Sequence, residues 1–171
     1  MTKDLSQIRM LILDVDGILT DGSVWMGTDG THFKKFSILD GAGIKEWMRC
    51  GHELAIISGH ESDATRHRFS ALGVREVFVG VKDKMACLAD LLQRTGMLPN
   101  ACAAMGDDLM DLPMMLSVHW SATVRSAHPQ VLRLADYVTQ REGGAGAVRE
   151  VMEHILTAQG RMGDILKRYH I

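Results

Sequence analysis

The sequence predicts an α/β fold in which a parallel sheet carries helices on both faces. Three observations lead to it. Short apolar runs alternate with amphipathic segments along most of the chain, the order made by parallel strands joined through crossover helices. Three of the helical segments stop at a glycine, Gly51, Gly73 and Gly96, the residue that most easily takes the left-handed turn closing a helix. With 171 residues, 46% of them apolar, the chain suits one compact domain over residues 1–171.

The elements follow in order. Residues 8–15, "IRMLILDV", form an apolar run that reads as a buried strand. Residues 23–37 alternate loosely around the turn pair Asp29-Gly30 and read as a hairpin. A helix is expected over 42–50, a second buried strand over 53–58, "ELAIIS", and an amphipathic helix over 61–72. "EVFVG", 76–80, is the third strand, and 83–95 a helix with one apolar face. "ACAAMGD", 101–107, is the fourth strand, followed by a short helix over 109–116. Two brief strands are expected at 121–124 and 136–139, and a last helix at 145–158.

Composition narrows the function. A net charge of −2 and the lack of any Lys/Arg block argue against nucleic acid or an anionic membrane as partner. The longest apolar stretch, around Met10–Leu13, is far too short to span a bilayer. The first ten residues, "MTKDLSQIRM", lack the apolar core of a secretory signal. Cys50, Cys87 and Cys102 are odd in number and form no C-x-x-C pair, so neither a zinc site nor a disulfide framework is indicated. The expected setting is the cytoplasm.

Parallel sheets of this kind carry their chemistry at the carboxyl ends of the strands. That rule gathers Asp14 and Asp16, then Ser58 and Gly59, then Gly80 with Lys82 and Lys84, then Gly106, Asp107 and Asp108. Carboxylates brought together repel unless something neutralises them. Mg²⁺ favours carboxylate, carbonyl and water oxygens, and Asp14 and Asp107 are the best side-chain ligands. A lysine can hold a carboxylate or receive a phosphoryl oxygen, and Ser58 with its neighbouring N–H groups can cradle the same anion. The set suits phosphoryl transfer, where positioning and charge neutralisation do most of the work. One aspartate can attack phosphorus while another protonates the leaving alcohol and then activates water.

"DVDGILTDG", "ISG", a lysine after the third strand and "GDDLMD", in that order, resemble the four motifs of the haloacid dehalogenase superfamily, whose sheet is Rossmann-like. The hairpin after the first motif, the lack of a cap insertion, and "ADYVT" followed by "GGAGAVREV" resemble its capless 3-deoxy-D-manno-octulosonate 8-phosphate phosphatases. The resemblance implies an Mg²⁺-dependent phosphatase acting on a phosphorylated acidic sugar during lipopolysaccharide synthesis. It implies Asp14 as nucleophile and Asp16 as general acid/base, with Asp14, the Asp16 carbonyl and Asp107 as metal ligands. Ser58 and Lys84 would hold the phosphoryl group, and Asp108 and Asp111 would support the metal. The family's substrate positions fall on Ser37, Ile38, Leu39, Asp40, Gly41, Lys45, His60 and Arg68, together with Asp16 and Lys84. Leu39 and His60 stand where the family usually has arginine. The resemblance also implies a homotetramer whose protruding hairpins pack together, with "GGAGAVREV" or the tail 160–171 near a neighbour's site.

Two other readings use the same residues. A phosphatase of a nonulosonate 9-phosphate would act on a related carboxylated sugar. A phospho-accepting receiver domain also gathers aspartates, a hydroxyl and a lysine, but its accepting aspartate ends its third strand, which here ends at Gly80. His67, His119 and His128 have no metal-ligand spacing and read as surface or structural residues. Met110, Met114 and Met115 read as core fillers.

Overall fold

The structure, a computed structural model, describes residues 3–171. The chain runs through β1 (Met10–Leu13), β2 (Trp25–Met26), β3 (His32–Phe33), α1 (Ile38–Arg49), β4 (Glu53–Ile57), α2 (Asp63–Leu72), β5 (Glu76–Phe78) and α3 (Lys84–Thr95). It continues through β6 (Cys102–Met105), α4 (Leu112–Leu116), β7 (Trp120–Thr123), α5 (Pro129–Leu134), β8 (Tyr137–Val138), α6 (Ala147–Ala158) and α7 (Met162–Arg168). No described helix is long and apolar enough to cross a membrane.

Six strands form one sheet in the order β5-β4-β1-β6-β7-β8, and every neighbouring pair is parallel. β1 lies inside it, Met10 to Leu13 pairing with β4 on one side and β6 on the other. This explains its uninterrupted apolar sequence: a strand covered on both faces has no solvent side for polar residues, and all four residues are fully buried. The chain moves outward from β1 through β4 to β5, then returns to β6 on the other flank. That reversal leaves a crevice beyond the carboxyl ends of β1 and β6, where ligands bind in open α/β sheets.

α1 and α6 approach closely because Gly43 has no side chain; a Cβ there would lie 3.0 Å from the Arg149 Cα. The buried Asp40 carboxylate ties the two helices, accepting from the backbone N–H of Gly146 (3.2 Å) and Arg149 (3.0 Å). A carboxylate is favoured at a helix N-terminus, where free N–H groups and the dipole meet it. Burial pushes the Asp40 carboxyl above its usual range, and the N–H donors and nearby Arg141 partly offset it.

The expected elements are present with shifted ends. The first strand is shorter than 8–15, since Ile8 and Val15 are buried beside the ladder but not paired in it. α1 starts at Ile38 rather than 42 because the Ser37 hydroxyl caps it, accepting from Leu39 N–H at 3.1 Å. The hairpin pairs only Trp25 with Phe33 and Met26 with His32. Its turn runs Gly27 to Thr31, Gly27 N–H donating to Thr31 O at 2.7 Å, and is wider than an Asp29-Gly30 pair. The segment 109–116 divides into a 3-10 turn, Leu109–Asp111, and α4. α5 and α7 were not anticipated; Pro129 at the start of α5 is a helix-entry signal present in the sequence.

Candidate active site

The carboxyl ends of β1 and β6 converge on one ammonium group. Asp14 extends the ladder one residue past β1, its N–H donating to Met105 O at 2.9 Å. Lys84, the first residue of α3, reaches in from the far side. Its Nζ donates to Asp14 Oδ1 at 2.6 Å and also to Asp111 Oδ1. The side chains of Lys84, Asp14 and Asp111 are 3%, 8% and 1% exposed, so little water screens them. Burial pushes the Lys84 ammonium down, but the two carboxylates outweigh it and hold it above its ordinary value. Burial, with repulsion from Asp111, pushes Asp14 up to about 6 despite Lys84.

Asp107 completes the cluster. Burial, then repulsion from Asp14, Asp111 and Asp108, pushes its carboxyl up to about 7. One lysine therefore does not neutralise the group. Asp14, Asp107 and Asp111 each offer an oxygen within 4.8 Å of the others. Asp111 is already committed: one oxygen takes Lys84 and the other accepts from the N–H groups of Asp107 and Asp108, both at 3.1 Å. Asp107 receives no side-chain donor among the described residues. Gly17, at φ +91°, curls the loop back so closely that a Cβ would lie 2.0 Å from Asp107 Oδ2, bringing the Asp16–Gly17 peptide beside it. This donor set, hard oxygens with excess negative charge, fits Mg²⁺.

The raised carboxyls have a consequence for stability. Their folded values lie above their unfolded ones, so the metal-free fold takes up protons between about pH 4 and 7 and loses stability as pH rises through that window. Mg²⁺ is expected to restore it. At a hundredfold excess over its Kd, a ligand of the folded state adds about 2.7 kcal/mol, or ~5–10 °C for a domain of this size. Thermal melts with Mg²⁺ and with chelator should differ more at pH 7.5 than at pH 5. Equal differences at both pH values would contradict this account.

Asp16 lies on the outer side of the cluster. Lys34, just past β3, donates to both of its carboxylate oxygens, to Oδ2 at 2.7 Å, and His60 Nδ1 lies 3.9 Å from Asp16 Oδ2. Ser58 is buried at the end of β4, its Oγ accepting from His60 N–H at 3.3 Å. Beside it, Gly59 lies under Met110, whose Cε would be 2.9 Å from a Cβ at that position. Met110 is thus half exposed over the loop after β4, not a core filler, whereas Met114 and Met115 are buried as expected.

The substrate segment divides. Ile38 and Leu39 are exposed at the start of α1. The Asp40 side chain faces the α6 N-terminus and accepts from its N–H groups. The Ser37 hydroxyl caps α1, and Ser37 O accepts from Arg68 Nη2 at 3.3 Å. Gly41 makes room for that guanidinium, which would lie 2.4 Å from a Cβ. Lys45 is exposed further along α1. Asp108 is exposed and caps the 3-10 turn through Leu109 N–H at 2.7 Å. His119 binds Asp4 O at 2.8 Å, and His128 caps α5, both structural roles.

"GGAGAV" braces the catalytic loop by backbone-to-backbone contact. Gly144 N–H donates to Ile18 O at 3.0 Å, and a Cβ on Gly143 would lie 1.8 Å from Gly17 O and 2.8 Å from Thr20 O. Neither oxygen belongs to a side chain that could swing away. Gly143→Ala is therefore expected to displace the loop bearing Asp14 and Asp16. It should cost about 1–3 kcal/mol and lower kcat at least tenfold with Mg²⁺ saturating; unchanged melting temperature and kcat would show that the brace is dispensable.

The sequence reading missed Lys34 and Thr20, and it took Met110 for a core filler. Thr20 offered a signal, a hydroxyl inside the glycine-rich motif. Its buried Oγ1 accepts from Gly17 N–H (3.3 Å) and Gly22 N–H (3.2 Å) and so holds the loop.

A switch-point crevice with a lysine bridging two carboxylates, a third carboxylate open to a cation and a fourth facing outward defines a haloacid dehalogenase-like hydrolase; the model of that family matches residues 76–152. Over 157 residues the chain is 42% identical to the 3-deoxy-D-manno-octulosonate 8-phosphate phosphatase of Escherichia coli K12, covering 92% of this chain and 84% of that protein. It superposes on the Moraxella catarrhalis enzyme, solved with magnesium, phosphate and KDO, with a TM-score of 0.94 at 35% identity, covering 97% and 95% of the two chains. The cobalt-bound Haemophilus influenzae enzyme matches with a TM-score of 0.89 at 37% identity, covering 92% of each. The chain belongs to the 3-deoxy-D-manno-octulosonate 8-phosphate phosphatase family of haloacid dehalogenase-like hydrolases.

Proposed function

We propose that the protein hydrolyses 3-deoxy-D-manno-octulosonate 8-phosphate to the free sugar acid and phosphate, a step of lipopolysaccharide sugar synthesis. The observation that carries this reading is Lys84 shared between Asp14 and Asp111 at the β1/β6 crevice, in a chain so similar to enzymes of that activity. Asp14 attacks phosphorus; its new P–O bond forms as the bond to the sugar oxygen breaks, and Asp16 gives that oxygen a proton. Asp16 then takes a proton from a water whose oxygen attacks the same phosphorus, and Asp14 leaves as a carboxylate. Lys84 and Ser58 hold phosphoryl oxygens, while Asp111 fixes Lys84 and the loop N–H groups. Asp14, Asp107 and the Asp16 carbonyl would hold Mg²⁺, which would supply positive charge to the phosphoryl oxygens.

Ser37 to Gly41, Lys45, His60 and Arg68 form the sugar side in this reading, Asp40 and Gly41 by shaping the segment. The test is a panel assayed side by side: the 8-phosphate of the octulosonate, a nonulosonate 9-phosphate and neutral sugar phosphates. The first should have the highest kcat/KM. A higher value for the nonulosonate would reassign the substrate and keep the chemistry.

The reading includes a single domain over residues 1–171, a cytoplasmic setting, supported by three free thiols, and a homotetramer. The hairpin supports assembly: Val24, Trp25, Met26 and Phe33 are each more than 60% exposed, and a two-stranded hairpin is only marginally stable alone. The tail folds back on its own subunit, Tyr169 donating to Glu46 Oε1 at 2.9 Å, which favours the hairpin over the tail as the part that reaches a neighbour. Light scattering at micromolar concentration should give a tetramer, and replacing Trp25 and Phe33 with serine should dissociate it and reduce selectivity. A fully active, selective monomer would sink the assembly.

A further inference from the structure

We propose that Lys34 determines specificity by changing partners: it holds Asp16 when the site is empty and moves to the anionic sugar when substrate arrives, releasing Asp16 for proton transfer. The inference rests on the phosphatase reading of the site and deepens it. Lys34 is carried on the hairpin, just past β3, rather than on the six-stranded sheet. Its side chain is only 6% exposed, and its Nζ donates to both Asp16 oxygens.

Position gives this pair its meaning. Asp16 must face the oxygen that leaves phosphorus, so whatever touches Asp16 from outside stands where the sugar has to go. Two basic side chains do so, Lys34 and His60, the latter 3.9 Å from Asp16 Oδ2. The His32 ring packs edge-on against His60 at 6.1 Å, so the hairpin and the loop after β4 wall the same space. Lys84 cannot serve, because it is enclosed between Asp14 and Asp111.

The contact also competes with catalysis, since both Asp16 oxygens accept from one ammonium and a leaving group must share or displace that contact. A lysine has three donors on a flexible four-carbon stem and can exchange one anion for another of similar charge. A sugar acid offers a carboxylate and several hydroxyl oxygens beyond the scissile bond; a neutral ester offers neither in that place. Exchange therefore couples release of Asp16 to the presence of an acidic leaving group.

The test uses the full-length enzyme with saturating Mg²⁺ and two substrates, the octulosonate 8-phosphate and p-nitrophenyl phosphate, which lacks a carboxylate. Lys34→Met is expected to lower kcat/KM for the sugar acid at least thirtyfold, chiefly through KM. The ratio of kcat/KM for the two substrates should fall at least tenfold. Lys34→Arg should recover most of that ratio. Lys34→Gln, which keeps much of the stem, should repeat the Met result and guards against a hairpin that fails to fold. Equal losses on both substrates would mean that Lys34 serves only the structure or Asp16, and would overturn the proposal, as would an unchanged ratio. If the wild-type enzyme ignores the sugar acid, the underlying reading fails and this one with it; if it cleaves the sugar acid and the variants do not alter the ratio, this one fails alone.

Discussion

Asp14→Asn is expected to lower turnover at least ~10³-fold, about 4 kcal/mol of barrier, and yet to leave the metal-free protein no less stable. The two effects share one cause. Asp14 is buried against Asp111 at the β1 end, and its carboxyl is pushed up to about 6. Above that pH the folded state carries a charge it disfavours relative to the unfolded chain. Asparagine keeps the size, removes the charge and cannot attack phosphorus. Steady-state assays with saturating Mg²⁺ and melts in chelator at pH 7.5 read the two quantities separately. Substantial turnover by the variant would rule out attack by Asp14. A melting temperature several degrees below wild type would show that its pairing with Lys84 outweighs the repulsion.

Lys84→Met should do harm on both counts. Methionine preserves most of the stem and deletes the ammonium that joins Asp14 to Asp111. Two buried carboxylates then lose their shared partner, an effect worth about 3–5 kcal/mol and ~6–20 °C in melting temperature. The Lys84 ammonium is held above its ordinary value, so its contribution is complete at neutral pH and lost only in strong alkali. Activity should fall ~10²–10³-fold, the usual effect of removing one fixed charge from a developing anion. Adding Asp111→Asn should recover part of the stability and none of the activity. A double variant as unstable as the sum of the two single effects would show that Asp111 serves chiefly the loop N–H groups.

These opposite signs come from residues that the sequence already marked. Asp14, Ser58 and Asp107 were legible because each follows a recognisable apolar strand, and a parallel sheet sends such positions to one edge; the third strand offered both Lys82 and Lys84, and only the family resemblance singled out Lys84. Strand and helix ends were less legible: burial alone extended the first strand to Ile8 and Val15, which lie outside the ladder. Asp40 shows what one sequence cannot contain. The direction of its carboxylate is set by the N-terminus of α6, 106 residues away at Gly146. Lys34 is similar on a smaller scale, since its contact with Asp16, 18 residues earlier, exists only because the hairpin folds back. A pair of lysines after a turn carries no signal of that.

The strand order also bears on how the chain folds. β1 leaves the ribosome first and becomes an inner strand, but one neighbour, β4, follows more than 40 residues later, and the other, β6, pairs Cys102 with Met10. During synthesis "MLIL" must wait with both edges open until β4 emerges, and with one edge open until nearly two thirds of the chain exists. Long-range parallel pairing is slow, and unpaired apolar strands invite aggregation. Asp14 and Asp107 meet only when β1 and β6 pair, so the cation site forms late and Mg²⁺ can stabilise the finished fold but not guide its early steps. Refolding yield should therefore depend steeply on protein concentration and only weakly on when Mg²⁺ is added.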